Sequence, residues 1–412
     1  MVYNKSIRVF YILKRFITFF LIFNIVLDPT NTFLRMKDIS FLLFVILNFG
    51  NISFKNIKIF LIFICAYFCS FTVALLTEQQ LNITLSFGIL KSFVFLLFIL
   101  WTHNDKLEIF KCFYYAVLIM CILEILIYLK VITAADGGKS VYYFMASRGS
   151  PIMISLNREM YGHKVIGVYY RTSAMSAITL SVSLFFLNQK KKFIYLIHTF
   201  IFIAGLFCSG TRANMLAGLM IIFFHFVYFI FYQKKLKILT ITILSVGIIS
   251  FSWVVFFLLT THEFSTDVKS GHLQSFINLF AQYPFRILFF GLGPGAYMYS
   301  SGTGYVQGLT ELSYLELIKN YGFLWTILIL GCFIYPIFKK CTCNYVSRLE
   351  KFSITIGYLA YLFIAGTNPL LIGSTGFTVF AVILYISDKS LFQEIYCTKK
   401  ERVRKTILTY GV

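Results

Sequence analysis

Arginine is the side chain whose placement in this sequence first suggests chemistry. Arg171 follows Tyr169 and Tyr170, and Arg212 closes the short polar run Ser209-Gly210-Thr211-Arg212 between two apolar stretches. Arg148, Arg158, Lys164 and Arg286 fall in the longer polar intervals on either side. A planar guanidinium makes bidentate contacts to phosphate oxygens that a lysine does not reproduce. Arginines gathered on one face therefore point to an anionic phosphate ligand. For any one of them the competing explanation is snorkelling to headgroups, or pairing with Glu159, Glu311 or Glu316.

The other candidates are fewer. Glu311 is placed to act as a base or as an arginine partner, and Glu316 lies five residues on; a buried salt bridge is the alternative for both. His163, His262 and His272 fall in the long polar intervals, whereas His103, His198 and His225 read as structural. No histidine pair has the spacing of a helix-borne metal site, and Cys341-Thr342-Cys343 lacks partner ligands, so neither metal nor cofactor is expected. There is no Gly-x-Ser-x-Gly elbow. Gly291-Leu292-Gly293-Pro294-Gly295 is too short for a nucleotide loop; Gly291, Gly293 and Gly295 predict a sharp turn whose exposed amides approach a ligand.

The elements that must position these groups follow from composition. Of the 412 residues, 59% are apolar, 19% aromatic and only 13% charged. A soluble domain cannot hide so much apolar surface behind so little charge, whereas a bilayer solvates it. Continuous apolar runs of about 20 residues recur, which favours helices over the alternating strands of a barrel. The expected class is all-α, polytopic and membrane-integral, with about twelve spans at 10–27, 33–50, 57–76, 81–101, 107–132, 165–187, 193–209, 213–232, 237–259, 312–335, 352–372 and 374–388. The apolar run at the N-terminus lacks a small-residue cleavage site and reads as a first span.

The formal net charge of +21 does not indicate nucleic acid, because most of it sits in short alternating loops such as Lys190-Lys191-Lys192 and Lys234-Lys235. That is the pattern of cytoplasmic retention by positive charge. It places both termini inside. The chain then divides into N-terminal transmembrane helices (1–132), an extracytoplasmic loop (133–164), central transmembrane helices (165–259), a large extracytoplasmic loop (260–311), C-terminal transmembrane helices (312–388) and a basic cytoplasmic tail (389–412). Within the large loop, Leu273–Leu279 and Ile287–Phe290 are apolar enough to form interfacial helices. The large loops contain no cysteine, so no structural disulfide is expected.

Three segments, in order, resemble one family. Cys208-Ser209-Gly210-Thr211-Arg212-Ala213 resembles its Ser-Gly-[Ser/Thr]-Arg-small turn, and Phe290-Gly291-Leu292-Gly293-Pro294-Gly295 its Gly-x-Gly-x-Gly segment. Glu311-Leu312-Ser313-Tyr314-Leu315-Glu316-Leu317 through Gly322 resembles its Glu-x-Ser-[Tyr/Phe]-Leu-x-Leu-x-x-x-x-Gly helix start. Together they resemble the O-antigen polymerase (Wzy) and O-antigen ligase superfamily of bacterial envelope proteins over roughly 165–335. The resemblance implies a metal-independent glycosyltransferase of the bacterial inner membrane, acting on undecaprenyl-diphosphate-linked glycan. It also implies a chain-length regulator and a flippase as partners.

On that resemblance Arg212 is first choice for stabilising the diphosphate leaving group. Arg171 comes second, because Tyr169-Tyr170-Arg171 resembles the family's arginine near a middle span, and Arg158 and Arg286 are further diphosphate contacts. Glu311 is the candidate for the acceptor hydroxyl. His272, in Ser270-Gly271-His272-Leu273-Gln274, stands where many relatives carry another arginine. The superfamily's ligases tend to carry a histidine soon after the Gly-rich segment; none occurs between Gly291 and Gly322, which favours the polymerase branch. Against a lipid-linked oligosaccharide flippase stands the lack of two related halves, the mark of many transporters. A receptor or purely structural membrane protein is the third reading.

Overall fold

The computed structural model describes residues 2–103, 107–160, 163–190, 193–232, 264–344, 346–368 and 370–391. It is mostly helical. Among the described residues, seven helical stretches are long and apolar enough to cross a membrane: Phe10–Leu27, Phe54–Leu76, Ile83–Trp101, Ile109–Thr133, Arg212–Ile230, Phe323–Thr342 and Arg348–Gly366. Phe193–Cys208 and Ser374–Ile386 are shorter apolar helices. These lengths and compositions are those of a polytopic integral membrane protein.

The helices run in the order α1 (Val2–Leu27), α2 (Lys37–Asn48), α3 (Ile57–Leu76), α4 (Ile83–Leu96), α5 (Ile109–Thr133), α6 (Lys139–Ser147), α7 (Ser176–Lys190), α8 (Phe193–Cys208) and α9 (Arg212–Tyr232). They continue with α10 (Phe264–Gln282), α11 (Pro284–Phe289), α12 (Ser313–Tyr321), α13 (Phe323–Thr342), α14 (Arg348–Gly366) and α15 (Ser374–Ile386). The expectation of a purely helical chain needs correcting. Strands β1 (Ile152–Met160) and β2 (His163–Tyr170) form one antiparallel hairpin, and β3 (Met298–Ser300) and β4 (Tyr305–Gln307) a second.

Three expected spans change shape. The segment at 165–187 opens as strand, because Val165, Val168, Tyr169 and Tyr170 are β-formers whose partners lie on β1; helix α7 begins only at Ser176. The segment at 312–335 breaks at Gly322, whose φ is +84°, into α12 and the longer α13. At 33–50 only the 12 residues of α2 are helical, about 18 Å against a hydrocarbon core of about 30 Å. The buried Asp28 carboxylate accepts from the amides of Thr32, Phe33, Leu34 and Arg35, holding that stretch as loop. The segment at 237–259 lies outside the described residues, as do His262 and the tail beyond 391.

Aromatic edges lock the bundle. Phe63 on α3 meets Phe93 on α4, Phe333 on α13 and Phe377 on α15 with centroids 6.1, 5.8 and 5.4 Å away, all T-shaped. Helix α7 runs through the interior, where Ser181 Oγ donates to Ser353 O of α14 at 2.7 Å. Gly357 allows this approach, since a Cβ there would lie 2.9 Å from that of Ser181.

The connections gather at two ends. Both hairpins, the turn before α9, the 77–82 connection and the loop before α15 share one end, called here the loop end. There Thr32 Oγ1 donates to Gly149 O, Asn82 N to Gly295 O, Lys37 Nζ to Ser374 Oγ and Ser313 Oγ to Asn368 O. At the opposite end Trp101 Nε1 donates to Asn48 O, Asn56 Nδ2 to Thr102 Oγ1 and Lys340 Nζ to Glu350 Oε1.

Candidate functional site

Arg212 is the first residue of α9 and is half-buried. A cation at a helix N-terminus opposes the helix dipole by about 0.3–1 kcal/mol, which an anionic ligand would reverse. The turn carrying it is tightly built. Gly210 has φ +60° and donates to Phe207 O at 3.1 Å, while Thr211 N donates to Ser209 Oγ at 3.3 Å. The turn presses on β2, because a Cβ on Gly167 would lie 2.9 Å from Ser209 O, and one on Gly210 2.9 Å from Gly167 Cα. Two glycines facing each other thus bring the Arg212 turn and the β-hairpin together.

Arg171 follows β2 directly and is exposed; it makes no hydrogen bond or ion pair among the described residues. Its turn is fixed from below by the buried Glu124 of α5, which accepts from Ser173 Oγ at 3.0 Å. Arg158 lies on β1 opposite Val165, with its side chain outside the described residues.

Arg286 on α11 sits in a second cluster. Its Nη1 reaches Gln79 Oε1 only at 3.5 Å, and its Cζ lies 5.8 Å from the Tyr283 ring centroid. Nε and Nη2 are buried with no hydrogen-bond partner, and burial lowers the guanidinium's pKa. A buried guanidinium without a carboxylate is costly and calls for an anion or a rearrangement.

The glycine-rich turn next to Arg286 is a joint rather than an open cradle, which corrects the sequence expectation. Residues Gly291 to Ala296 are all buried. Gly291 N donates to Arg286 O, Leu292 N to Lys319 O and Gly293 N to Asn320 O, at 2.7, 2.6 and 3.2 Å. The three positive φ values, +71°, +100° and +77°, serve close approach. A Cβ on Gly291 would lie 2.6 Å from Asn320 C, one on Gly293 2.5 Å from Ala74 Cβ and one on Gly295 2.9 Å from Asn82 O.

Two residues behind the joint carry more structure than their sequence signal suggested. Glu316 and Lys319 on α12 form a buried ion pair at 2.9 Å. Lys319 Nζ also donates to Ala296 O and Gly308 O, both at 2.9 Å, and Glu316 Oε1 accepts from Thr310 N at 2.8 Å. The pair stitches the large loop onto α12, and its i,i+3 spacing was the available signal.

His272 and Glu311 do come near each other. His272 Nδ1 bonds Ser300 Oγ on β3, and Ser301 N donates to Ser275 Oγ at 2.9 Å, so the small hairpin docks on α10. Burial lowers the His272 pKa, while Glu311 and Glu316 oppose that change. Glu311 is exposed and pairs loosely with Lys269 at 3.7 Å. Of the two expected interfacial segments, Leu273–Leu279 lies within α10, and Ile287–Phe290 is helical up to Phe289, the end of α11. Among the described residues no group of three or more His, Cys, Asp or Glu side chains is placed to hold a metal ion.

Fold and site thus define a helical integral membrane protein whose loop end carries several arginines. Comparison of the chain with family models, with characterised proteins and with solved structures finds no match.

Proposed function

We propose that the chain polymerises undecaprenyl-diphosphate-linked oligosaccharide repeat units into O-antigen or a related surface polysaccharide on the outer face of the bacterial cytoplasmic membrane. On this reading about twelve helices span the bilayer, the loop end faces outward and both termini face the cytoplasm. One observation carries the reading: Arg171, Arg212 and Arg286 collect at the loop end of an apolar bundle, two of them beside the same β-strand or its turn. Buried guanidinium nitrogens without a partner, as at Arg286, are expensive without an anion, and a lipid-borne diphosphate supplies one at the membrane surface.

The chemistry balances without a metal. An acceptor hydroxyl oxygen attacks the anomeric carbon of the growing chain, and the bond from that carbon to the diphosphate oxygen breaks. The electron pair leaves on the diphosphate, whose developing charge Arg212 stabilises, with Arg158 and Arg286 as further cationic contacts. The hydroxyl proton passes to the Glu311 carboxylate, which releases Lys269 to receive it. His272 positions the α10 and hairpin side of the loop through Ser300.

Arg212→Ala tests the proposal in cells by surface glycan length. The expected product is core or carrier bearing a single repeat unit, with polymer reduced about 10²–10³-fold, the range for loss of one oxyanion-stabilising donor. Complete absence of external repeat units would instead indicate a flippase, and unchanged polymer length would reject both.

A further inference from the structure

A cavity of about 270 Å³ opens beside Arg171. Its wall joins segments far apart in sequence: the loop at Pro29, Lys37 of α2, Lys91 of α4, Arg171, and Ser374 and Thr375 at the start of α15. Three cations line it and no carboxylate does. The size falls near the lower end of small-ligand sites, about 300–1,000 Å³.

Lys37 is only 7% exposed and has no carboxylate partner among the described residues. Its ammonium donates to Pro29 O and, at 3.2 Å, to Ser374 Oγ and stands 5.1 Å from the Phe95 ring centroid, which leaves one of its three donors without a hydrogen bond. Lys91 pairs with Asp38 at 2.7 Å, and the other nearby acid, Asp28, is engaged with loop amides. Gly373 gives α15 no side-chain cap, so the first amides of a 13-residue helix lack intrahelical acceptors where Ser374 and Thr375 meet the cavity. A helix N-terminus, an unpartnered guanidinium and a buried ammonium thus converge on one volume. Each favours the same kind of ligand.

We propose that this cavity is a second anion site, holding a phosphate or diphosphate group between Lys37, Lys91, Arg171 and the N-terminal amides of α15. Arg212 is not among the lining residues. On the polymerisation reading, which joins two diphosphate-linked molecules, the site holds the second diphosphate. That role rests on the reading, while the binding rests on the cavity alone.

Calorimetric titration of the purified full-length protein in neutral detergent, with inorganic pyrophosphate and separately with farnesyl diphosphate, tests it. Saturable binding is expected, with Kd raised about ten-fold by Lys91→Gln and by Arg171→Gln, the worth of one charge-assisted contact. Lys351→Gln, at the opposite end, leaves Kd unchanged. Lys91 has a side chain 64% exposed, so its variant keeps the fold even where Lys37→Gln does not. Farnesyl diphosphate binding at least ten-fold tighter identifies a lipid headgroup, and equal affinities identify a free anion; either supports the site. No saturable binding of either probe, or an unchanged Kd in both variants, overturns it. If Arg171→Gln and Lys91→Gln weaken binding while Arg212→Ala leaves glycan length untouched, the cavity stands and polymerisation falls. If Arg212→Ala shortens the glycan but neither probe binds, the reverse holds.

Discussion

The two ends of the bundle treat their cations differently. At the end opposite the loops, Lys340 pairs with Glu350 at 2.9 Å, Lys339 with Asp388 at 2.8 Å and Arg15 with Glu108 at 2.8 Å. At the loop end Lys319 has Glu316, Lys91 has Asp38 and Lys269 a loose contact to Glu311, but the exposed Arg171 has no partner among the described residues and Arg286 reaches only an amide oxygen. Paired cations close a structure, since each desolvated charge is answered within the chain. Desolvated nitrogens that nothing answers, as at Arg286, leave a standing demand for an anion, and an exposed free guanidinium such as Arg171 is open to one. Asymmetry of this kind separates the end that holds the helices together from the end that recognises something.

The comparison is broken most severely at the buried pairs. Lys340→Met leaves the buried Glu350 without its cation, holding only the Leu391 amide and Ser390 hydroxyl, and is expected to cost about 3–5 kcal/mol in a detergent unfolding titration. Adding Glu350→Leu should recover part of that loss, because it removes the uncompensated charge but leaves the Leu391 amide without its acceptor. Lys319→Met should cost as much and, in addition, open the 296–312 segment to limited proteolysis, because Lys319 anchors Ala296 and Gly308. Equal loop protection in both variants would erase the distinction.

Gly322→Ala comes next, at about 2 kcal/mol or more. The residue has φ +84°, and a Cβ would lie 2.7 Å from Phe290 N. The reverse sign is expected at Arg286. Arg286→Gln removes a partly buried, poorly answered guanidinium, and should raise the ligand-free stability slightly, by at most about 1 kcal/mol, while weakening function. A loss of stability there would show that Arg286 is answered after all.

The smallest effect concerns pH. Burial holds His272 below its ordinary value of 6.5, so the folded state favours the neutral ring. Its contribution to stability is present above 6.5 and is lost as pH falls from there through the lower folded value. His272→Gln should flatten that part of the stability–pH curve, and an unchanged slope would remove His272 from the balance.

Much of the site was legible locally, and some was not. Arg171 and Arg212 stood out because guanidinium groups at the edges of apolar stretches conflict with their surroundings. The pairing of Glu316 with Lys319 was missed, since Glu316 reads in sequence as an arginine partner, although the i,i+3 spacing was there to be seen. The amides of the 291–295 turn were misjudged because their acceptors, Lys319 O and Asn320 O, come from another element. Lys37 and Lys91 gave no signal, since nothing in sequence links residue 37 to residues 91, 171 and 374.

By itself the sequence determined the helical membrane class, the location of most apolar stretches and the intervals that carry the arginines. Hydropathy is a local, additive property, and about 20 apolar residues suffice to express it. Tertiary structure alone decided that β2 and not helix precedes α7, that Gly322 divides α12 from α13, and which cations meet. Strand pairing, close backbone approach and convergence of charge all depend on the packing of segments remote in the chain.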